Sequence, residues 1–303
     1  VFMSKVIKRL ELVLCVLFVL FQMYTAFFGA ISGIAQKSIH LTFVIAILFI
    51  GLYNNDHDKK ILRVLDLALM VVGCIVTVYI TSLSKALAID STTHTLAMSV
   101  FGVLLIGILL VATWRKVGPV LAIVVSFFIF YAFFGKYFPM IFRHGGMKFT
   151  RFIHLICYTS EGIFGSPLNS AATFICVFII LGALFAVTGV GDYITELASS
   201  VFGIFRGGPA KLAVVASALF GSISGSACAN VIGTGTFTIP LMKRIGYDAE
   251  FAGAVEATAS TGGQIMPPIM GAAAFLMAEY ASTPYSTIAV KAIIPAFLYF
   301  SGV

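Results

Sequence analysis

Charge is what this sequence has least of. Only 10% of its 303 residues are Asp, Glu, Lys or Arg, against 60% hydrophobic. A soluble domain carries about 25% charged residues. A soluble core of this length does not need so much apolar surface, so the composition is that of a polytopic membrane protein. Residues for metal or nucleophile chemistry are also scarce. The five cysteines (Cys15, Cys74, Cys157, Cys176, Cys228) form no C-x-x-C pair, and most lie inside apolar runs. They read as small packing residues, not as a disulfide framework or a metal site. There is no H-E-x-x-H, and no histidine follows His154 to serve a later serine nucleophile. His40, His57, His94, His144 and His154 fall in expected loops or helix edges and are assigned no chemistry. The net charge of +7 comes from basic residues in short loops between apolar runs. That is a topology signal and not a nucleic-acid footprint.

What is present is a series of apolar runs. Leu12–Phe28, Ile39–Tyr53, Ile61–Ile80, Leu96–Trp114, Val117–Phe134 and Ala171–Val190 each suit a membrane helix, the second being short. No A-x-A-like site closely follows the first, which reads as a retained helix and not a signal peptide. Lys5, Lys8 and Arg9 put the N-terminus in the cytoplasm. Alternation then brings Lys59, Lys60 and Arg63, then Arg115 and Lys116, then Arg206, Lys211, Lys243 and Arg244 to the same side. The stretch from Gly135 to Ser170 is expected to be an extracytoplasmic loop, despite Lys136, Arg143, Lys148 and Arg151. Asp192 to Phe205 has an amphipathic pattern suited to a membrane surface. A last run, Ser286–Phe300, contains Pro295.

After Val190 the apolar pieces are broken by Gly, Ser and Pro. Residues 221–240 read GSISGSACANVIGTGTFTIP. Lys211 precedes this stretch and Lys243 and Arg244 follow it on the same side, so the chain goes in and comes back. Ala210–Phe220 and Asn230–Met242 are too short to span. They are expected to form a re-entrant helical hairpin with Gly221–Ser226 as its tip. A second break follows: Phe251–Ala259 as helix, Ser260–Pro268 unwound, Ile269–Tyr280 as helix. Two adjacent prolines free carbonyls that a regular helix would bond. Irregular backbone at membrane depth survives only where protein or a watery site surrounds it. Half-helix ends with small hydroxyl side chains offer neutral oxygens to a hard cation and positive N-termini to an anion. The candidate side chains are Ser222, Ser224, Ser226, Asn230, Ser260, Thr261 and Gln264.

Neither break contains a carboxylate, which argues against a relay of buried acids. Asp248 reads as an N-cap residue. Glu256 reads either as a helix-face partner of a basic residue or as a coupling residue. Other readings stay open. Gly221-x-x-x-Gly225 is also a helix-packing pattern. Gly189-Val190-Gly191-Asp192 with Tyr247-Asp248 carries the pieces of an intramembrane aspartyl protease, in reversed order. A channel built on filter carbonyls and a non-transporting membrane scaffold complete the alternatives.

Four further stretches are specific: Glu161-Gly162-Ile163-Phe164-Gly165, Arg206-Gly207-Gly208-Pro209-Ala210-Lys211, Gly221-Ser222-Ile223-Ser224-Gly225-Ser226-Ala227, and Ser260-Thr261-Gly262-Gly263-Gln264-Ile265-Met266-Pro267-Pro268-Ile269-Met270-Gly271. With them, residues from about 150 to 303 resemble the large membrane subunit of tripartite ATP-independent periplasmic (TRAP) transporters. The wording resembles the branch served by TAXI-type binding proteins, in which the small and large membrane subunits are fused. The resemblance implies an all-α polytopic fold of about seven to nine spanning helices plus the hairpin and the discontinuous helix. This would be half of an elevator-type inverted repeat, with the second half expected beyond Val303 and no transport by the chain as it stands. It implies a four-helix small-subunit-like scaffold over 1–116 and a connecting helix and loop over 117–170. Residues 171–303 would be the first half of the transport region, with the hairpin over 210–242 and the broken helix over 248–280. It further implies import of small organic anions, mostly carboxylates, across a bacterial inner membrane, with the substrate handed over by a periplasmic TAXI-type protein. Na+ would be the coupling ion, with no other cofactor and no enzymatic activity. Carried over by position, Ser222, Ser224, Gly225, Ser226 and Asn230 of the hairpin and Ser260, Thr261, Gly262, Gly263, Gln264 and Pro267 of the break would bind sodium and substrate. Ser224, Ser226 and Thr261 would be the sodium ligands. Ile269 stands where many family members have Ser after the proline pair.

Overall fold

The computed structural model describes all residues except 1, 30, 32, 56–59, 90–94, 190–192, 194–195, 198–199 and 201–206. Its described elements are helical. Among the described residues seven helices are long and apolar enough to cross a membrane, within the expected number. The chain divides into two compact units, Val1–Ala172 and Thr173–Val303.

The first unit begins with four long helices: α1 (Phe2–Phe28), α2 (Gly33–Asn55), α3 (Lys60–Ile89) and α4 (Leu96–Lys116). The second is not short: it starts six residues before Ile39 and takes in polar Gln36, Lys37, Ser38 and His40. All four are buried, and a buried polar group is tolerated only when it is bonded. Gln36 Nε2 donates to the Ala172 carbonyl at 3.0 Å and Lys37 Nζ to the Phe164 carbonyl at 2.7 Å. Ser38 Oγ donates to the Thr77 carbonyl at 2.7 Å. His40 sits inside α2 and meets Gln22 at 2.6 Å, which corrects its expected placement at a helix edge. Asp66 of α3 pairs with Arg115 at the end of α4.

After α5 (Pro119–Phe134) the stretch read as a loop holds a helix, α6 (Phe149–Tyr158). Lys148 and Arg151 masked its period in the sequence. Phe152, Ile153, Cys157 and Tyr158 enter one core with Leu41, Ile45, Phe49, Val76, Ile80, Leu105 and Phe164. Tyr158 reaches the Met98 carbonyl at 2.8 Å. The Glu161–Gly165 motif is the turn that follows. Phe164 is fully buried there, and a Cβ on Gly162 would lie 2.3 Å from the Ile156 carbonyl oxygen.

A helical run from 166 crosses the unit boundary as α7 (Ser166–Ser170), a π-helical turn (Ala171–Ile175) and α8 (Cys176–Val187). The amphipathic reading of 192–205 falls largely outside the described residues, as does Asp192. The second unit continues with α9 (Gly208–Ser224), α10 (Ala227–Arg244), α11 (Ala249–Gly262), α12 (Ala272–Tyr280) and α13 (Tyr285–Gly302). Pro209 sits in the first turn of α9, where its missing N–H costs nothing, and Asp248 is the N-cap of α11.

Candidate functional site

The hairpin and the broken helix are both present, with different bounds. The tip is not Gly221–Ser226. Helix α9 runs through Ser224 and α10 begins at Ala227, leaving Gly225 and Ser226 as the turn. Gly225 is left-handed at φ 60°, and Ser226 caps α10 by accepting from the Ala229 N–H at 3.3 Å. A left-handed glycine followed by a serine N-cap ends one helix and starts the next in two residues. The break is shifted in the same way. Ser260, Thr261 and Gly262 belong to α11, and the irregular segment is 263–271, with a cis bond between Pro267 and Pro268.

Small residues let these two breaks touch backbone to backbone. A Cβ on Gly221 would lie 2.4 Å from the Gly263 Cα, and one on Gly225 would lie 2.0 Å from the Met270 carbonyl oxygen. The Ile269 N–H donates to the Ser222 carbonyl at 3.1 Å, and the Gly271 N–H closes the loop onto the Gln264 carbonyl at 2.7 Å. One amide freed by the break thus finds its partner in the hairpin and another finds it within its own loop.

Beside this junction lies a cavity of about 460 Å³. Its polar edge is Ser224, Gly225, Ser226, Gln264 and Gly271, and its apolar wall includes Phe178, Ile269 and Phe275. The wall is braced by stacking of Phe275 on Tyr285, ring centres 4.4 Å apart. The Tyr285 hydroxyl bonds the Pro268 carbonyl at 2.8 Å and also the Ile269 carbonyl. The N-terminal ends of α10 (Ser226) and α12 (Gly271, Ala272) both border the cavity. Each brings unpaired N–H groups and a partial positive charge. Ser224 Oγ is buried and has no hydrogen-bond partner.

The other sequence candidates are placed elsewhere. Ser222 Oγ donates to the Leu219 carbonyl at 2.7 Å. Thr261 lies on the exposed face of α11 and donates to the Ala257 carbonyl at 2.8 Å. Pro267 lines a separate apolar groove with Val214, Val215 and Phe297. Gly262 is covered by Tyr299 and Phe300 of α13. Asn230 is fully buried between helices, its amide donating to the carbonyls of Ser217 at 2.8 Å and Ser260 at 3.5 Å.

The residue that sequence reasoning underrated is Glu256. It has no basic partner among the described residues, so the helix-face ion pair is corrected. Its carboxylate is fully buried and meets four hydroxyls. Oε1 is met by Thr234, by Ser260 at 3.0 Å and by Ser217 at 3.2 Å, and Oε2 by Thr238. These come from both hairpin arms and from α11 itself. A signal existed: Asn230, Thr234 and Thr238 recur every four residues inside an apolar arm, which puts one polar stripe on one face.

Comparison with known proteins adds an independent finding. Residues 103–303 match the family model described as tripartite ATP-independent periplasmic transporter, DctM component. The chain is 41% identical over 92 residues to the C4-dicarboxylate TRAP transporter large permease protein DctM of Vibrio cholerae, covering 30% of this chain and 20% of that protein. It is 34% identical over 91 residues to the sialic acid TRAP transporter permease protein SiaT of Haemophilus influenzae, covering 30% and 15%. It is 32% identical over 117 residues to the isethionate TRAP transporter permease protein DctMQ of Oleidesulfovibrio alaskensis, covering 39% and 18%. The matched stretches thus span a fifth or less of these three relatives.

Proposed function

The chain belongs to the DctM-component family of tripartite ATP-independent periplasmic transporters, and from that premise we propose that its second unit carries a site for a small organic anion in a sodium-coupled importer. The family is one of permeases, not enzymes, and the aspartyl-protease alternative is set aside on that ground. The observation that carries the proposal is the cavity at the hairpin tip. Two helix N-termini border it, suiting a carboxylate, and the unpartnered Ser224 Oγ stands at its edge beside Ser226. Hydroxyl and carbonyl oxygens there suit sodium, which takes neutral oxygen ligands at a helix break. Thr261 does not line this cavity, so the proposed sodium ligands reduce to Ser224, Ser226 and neighbouring backbone carbonyls. The apolar wall around Phe178 and Phe275 would hold the carbon body of the anion. The resemblance to the TAXI-linked branch supports a periplasmic TAXI-type protein as the donor and an inner-membrane location, and the basic residues Lys5, Lys8 and Arg9 support a cytoplasmic N-terminus.

The test is uptake by the full-length protein in liposomes with its binding protein and a panel of C4-dicarboxylates as probes. Uptake is expected to need an inward sodium gradient. Ser224→Ala is expected to lower it about tenfold, the loss of one ligand bond of about 1.4 kcal/mol. Equal uptake in potassium-only buffer would remove sodium from the reading. An unchanged Ser224→Ala would move the site away from the hairpin tip.

A further inference from the structure

Glu256 lies at the centre of the unit formed by the hairpin and the first half of the broken helix, and the site at the hairpin tip has no use for it. A lone ionised carboxylate in such surroundings is costly unless it is neutralised or well bonded, and an ionisable residue at membrane depth is a functional candidate by default. Every group that touches it is neutral: Ser217 from α9, Thr234 and Thr238 from α10, and Ser260 from α11. The charged residues of the helices packed around it are Lys211, Lys243, Arg244, Glu250 and, on α13, Lys291, and all of these are exposed. Asp248, the N-cap of α11, is exposed as well. No ion pair to Glu256 exists among the described residues. The oxygens lie at hydrogen-bonding distance, and Gly235 is packed on the side-chain stem, where an added Cβ would lie 3.1 Å from Cγ. Both carboxylate oxygens and all four hydroxyls already hold hydrogen-bond partners. The ligand this cluster fits is a proton.

Counting hydroxyl protons supports two states with the same heavy-atom positions. In the ionised state all four hydroxyls donate to the carboxylate. In the protonated state Thr234 keeps donating to Oε1, and Thr238 alone turns its O–H to the Thr234 carbonyl, 3.0 Å away. The carboxyl O–H on Oε2 then donates to the Thr238 oxygen, which has a free lone pair. Hydroxyl hydrogens rotate freely to suit their partners, so one proton enters from water onto Oε2 and no side chain repacks.

We infer that Glu256 with Ser217, Thr234, Thr238 and Ser260 forms a buried, exchangeable proton-binding site inside the hairpin unit. This site does not rest on the sodium reading. Its occupancy changes how the three helices are tied. The ionised state holds both arms to α11 through three donated bonds, from Ser217, Thr234 and Thr238. Protonation returns the Thr238 donor to its own helix and leaves the other two on a neutral carboxyl, where a hydrogen bond is roughly half as strong as on a carboxylate. Protonation is therefore expected to loosen the hairpin against α11.

The experiment is infrared difference spectroscopy of the full-length protein in nanodiscs, titrated between about pH 3 and pH 9, a window that spans ordinary carboxylate and histidine values. The carbonyl stretch of one protonated carboxylic acid is expected to appear on acidification and to be lost in Glu256→Gln. Thr238→Val keeps the carboxylate, removes the partner of Oε2 and covers the case in which Glu256→Gln does not fold. It is expected to shift the pH at which the band appears. A band that never depends on Glu256, one present unchanged at every pH, or a midpoint that Thr238→Val leaves in place would each overturn the inference.

Discussion

The two units solve the same problem, packing helices in a low-dielectric setting, by opposite means. The first unit interlocks large side chains. Phe49, Ile80, Leu105, Phe152 and Phe164 fill a common core, and buried polar groups such as Gln36 and Lys37 are tied to carbonyls. The second unit brings backbones together over glycines and fills what remains with hydroxyls, Asn230 and Glu256. Its hydrophobic clusters are small and dominated by Ala, Leu and Met. Large side chains make a rigid mass without special geometry. Glycine crossings and hydrogen bonds make close contact that depends on each position, which suits a part that holds a ligand at interrupted helices. The comparison predicts that the second unit is the more sensitive to added atoms and the first to removed ones.

The largest effect is expected at Gly225. A side chain there faces a left-handed φ, which costs about 1–3 kcal/mol on its own, and meets the Met270 carbonyl oxygen at 2.0 Å. Backbone cannot yield as a side-chain tip does. Gly225→Val is expected to abolish monodisperse folded protein on size-exclusion chromatography. Normal elution would break the comparison at its strongest point. In the first unit the matching experiment removes atoms. Phe164→Ala empties a fully buried site and is expected to cost about 3–5 kcal/mol, read as a lowered midpoint of thermal unfolding. A loss below about 1 kcal/mol would mean that the first core is loosely packed and that its turn motif serves something other than packing.

The hairpin and the broken helix were legible in the sequence because glycine, proline and the charges flanking a hydrophobic stretch are local signals. Their bounds were not. Gly221, Ser222 and Ser224 look like tip residues, yet only Gly225 takes a left-handed angle, and glycines upstream serve a crossing that exists only in three dimensions. Similarly, Thr261 and Ser224 look equivalent as hydroxyls. The helix phase turns one outward and leaves the other at a cavity. The site of Glu256 was hidden for another reason: its partners stand at 217, 234, 238 and 260, and nothing local joins the first two helices to the third. Helix α6 is concealed in the sequence because Arg151 on its exposed face and Lys148 just before it interrupt an apolar face with helical period.

Smaller effects sharpen the contrast between a bonded and an unbonded hydroxyl within the second unit. Ser224 Oγ makes no bond, so Ser224→Ala is expected to leave thermal stability within about 0.5 kcal/mol of the parent, whatever it does to uptake. Thr238→Val removes a hydroxyl tied to the Glu256 carboxylate and is expected to cost about 1–3 kcal/mol at neutral pH. Equal unfolding midpoints for the two variants would deny the carboxylate cluster any part in holding the hairpin.

The smallest effect has the opposite sign and tests whether glycine is required everywhere or only at crossings. Gly107 lies exposed in α4, and a Cβ added there meets nothing within 4 Å. In a helix, alanine is favoured over glycine by about 1 kcal/mol, through lower chain entropy in the unfolded state. Gly107→Ala is therefore expected to raise the unfolding midpoint slightly. Gly221→Ala makes the same exchange inside α9, where its Cβ would lie 2.4 Å from the Gly263 Cα, and is expected to lower it. The same propensity gain operates in both helices, so the difference between the two midpoints isolates the cost of separating α9 from the broken helix. If both substitutions stabilise, the backbone crossing relaxes without penalty, and close approach is not what holds the hairpin to the break.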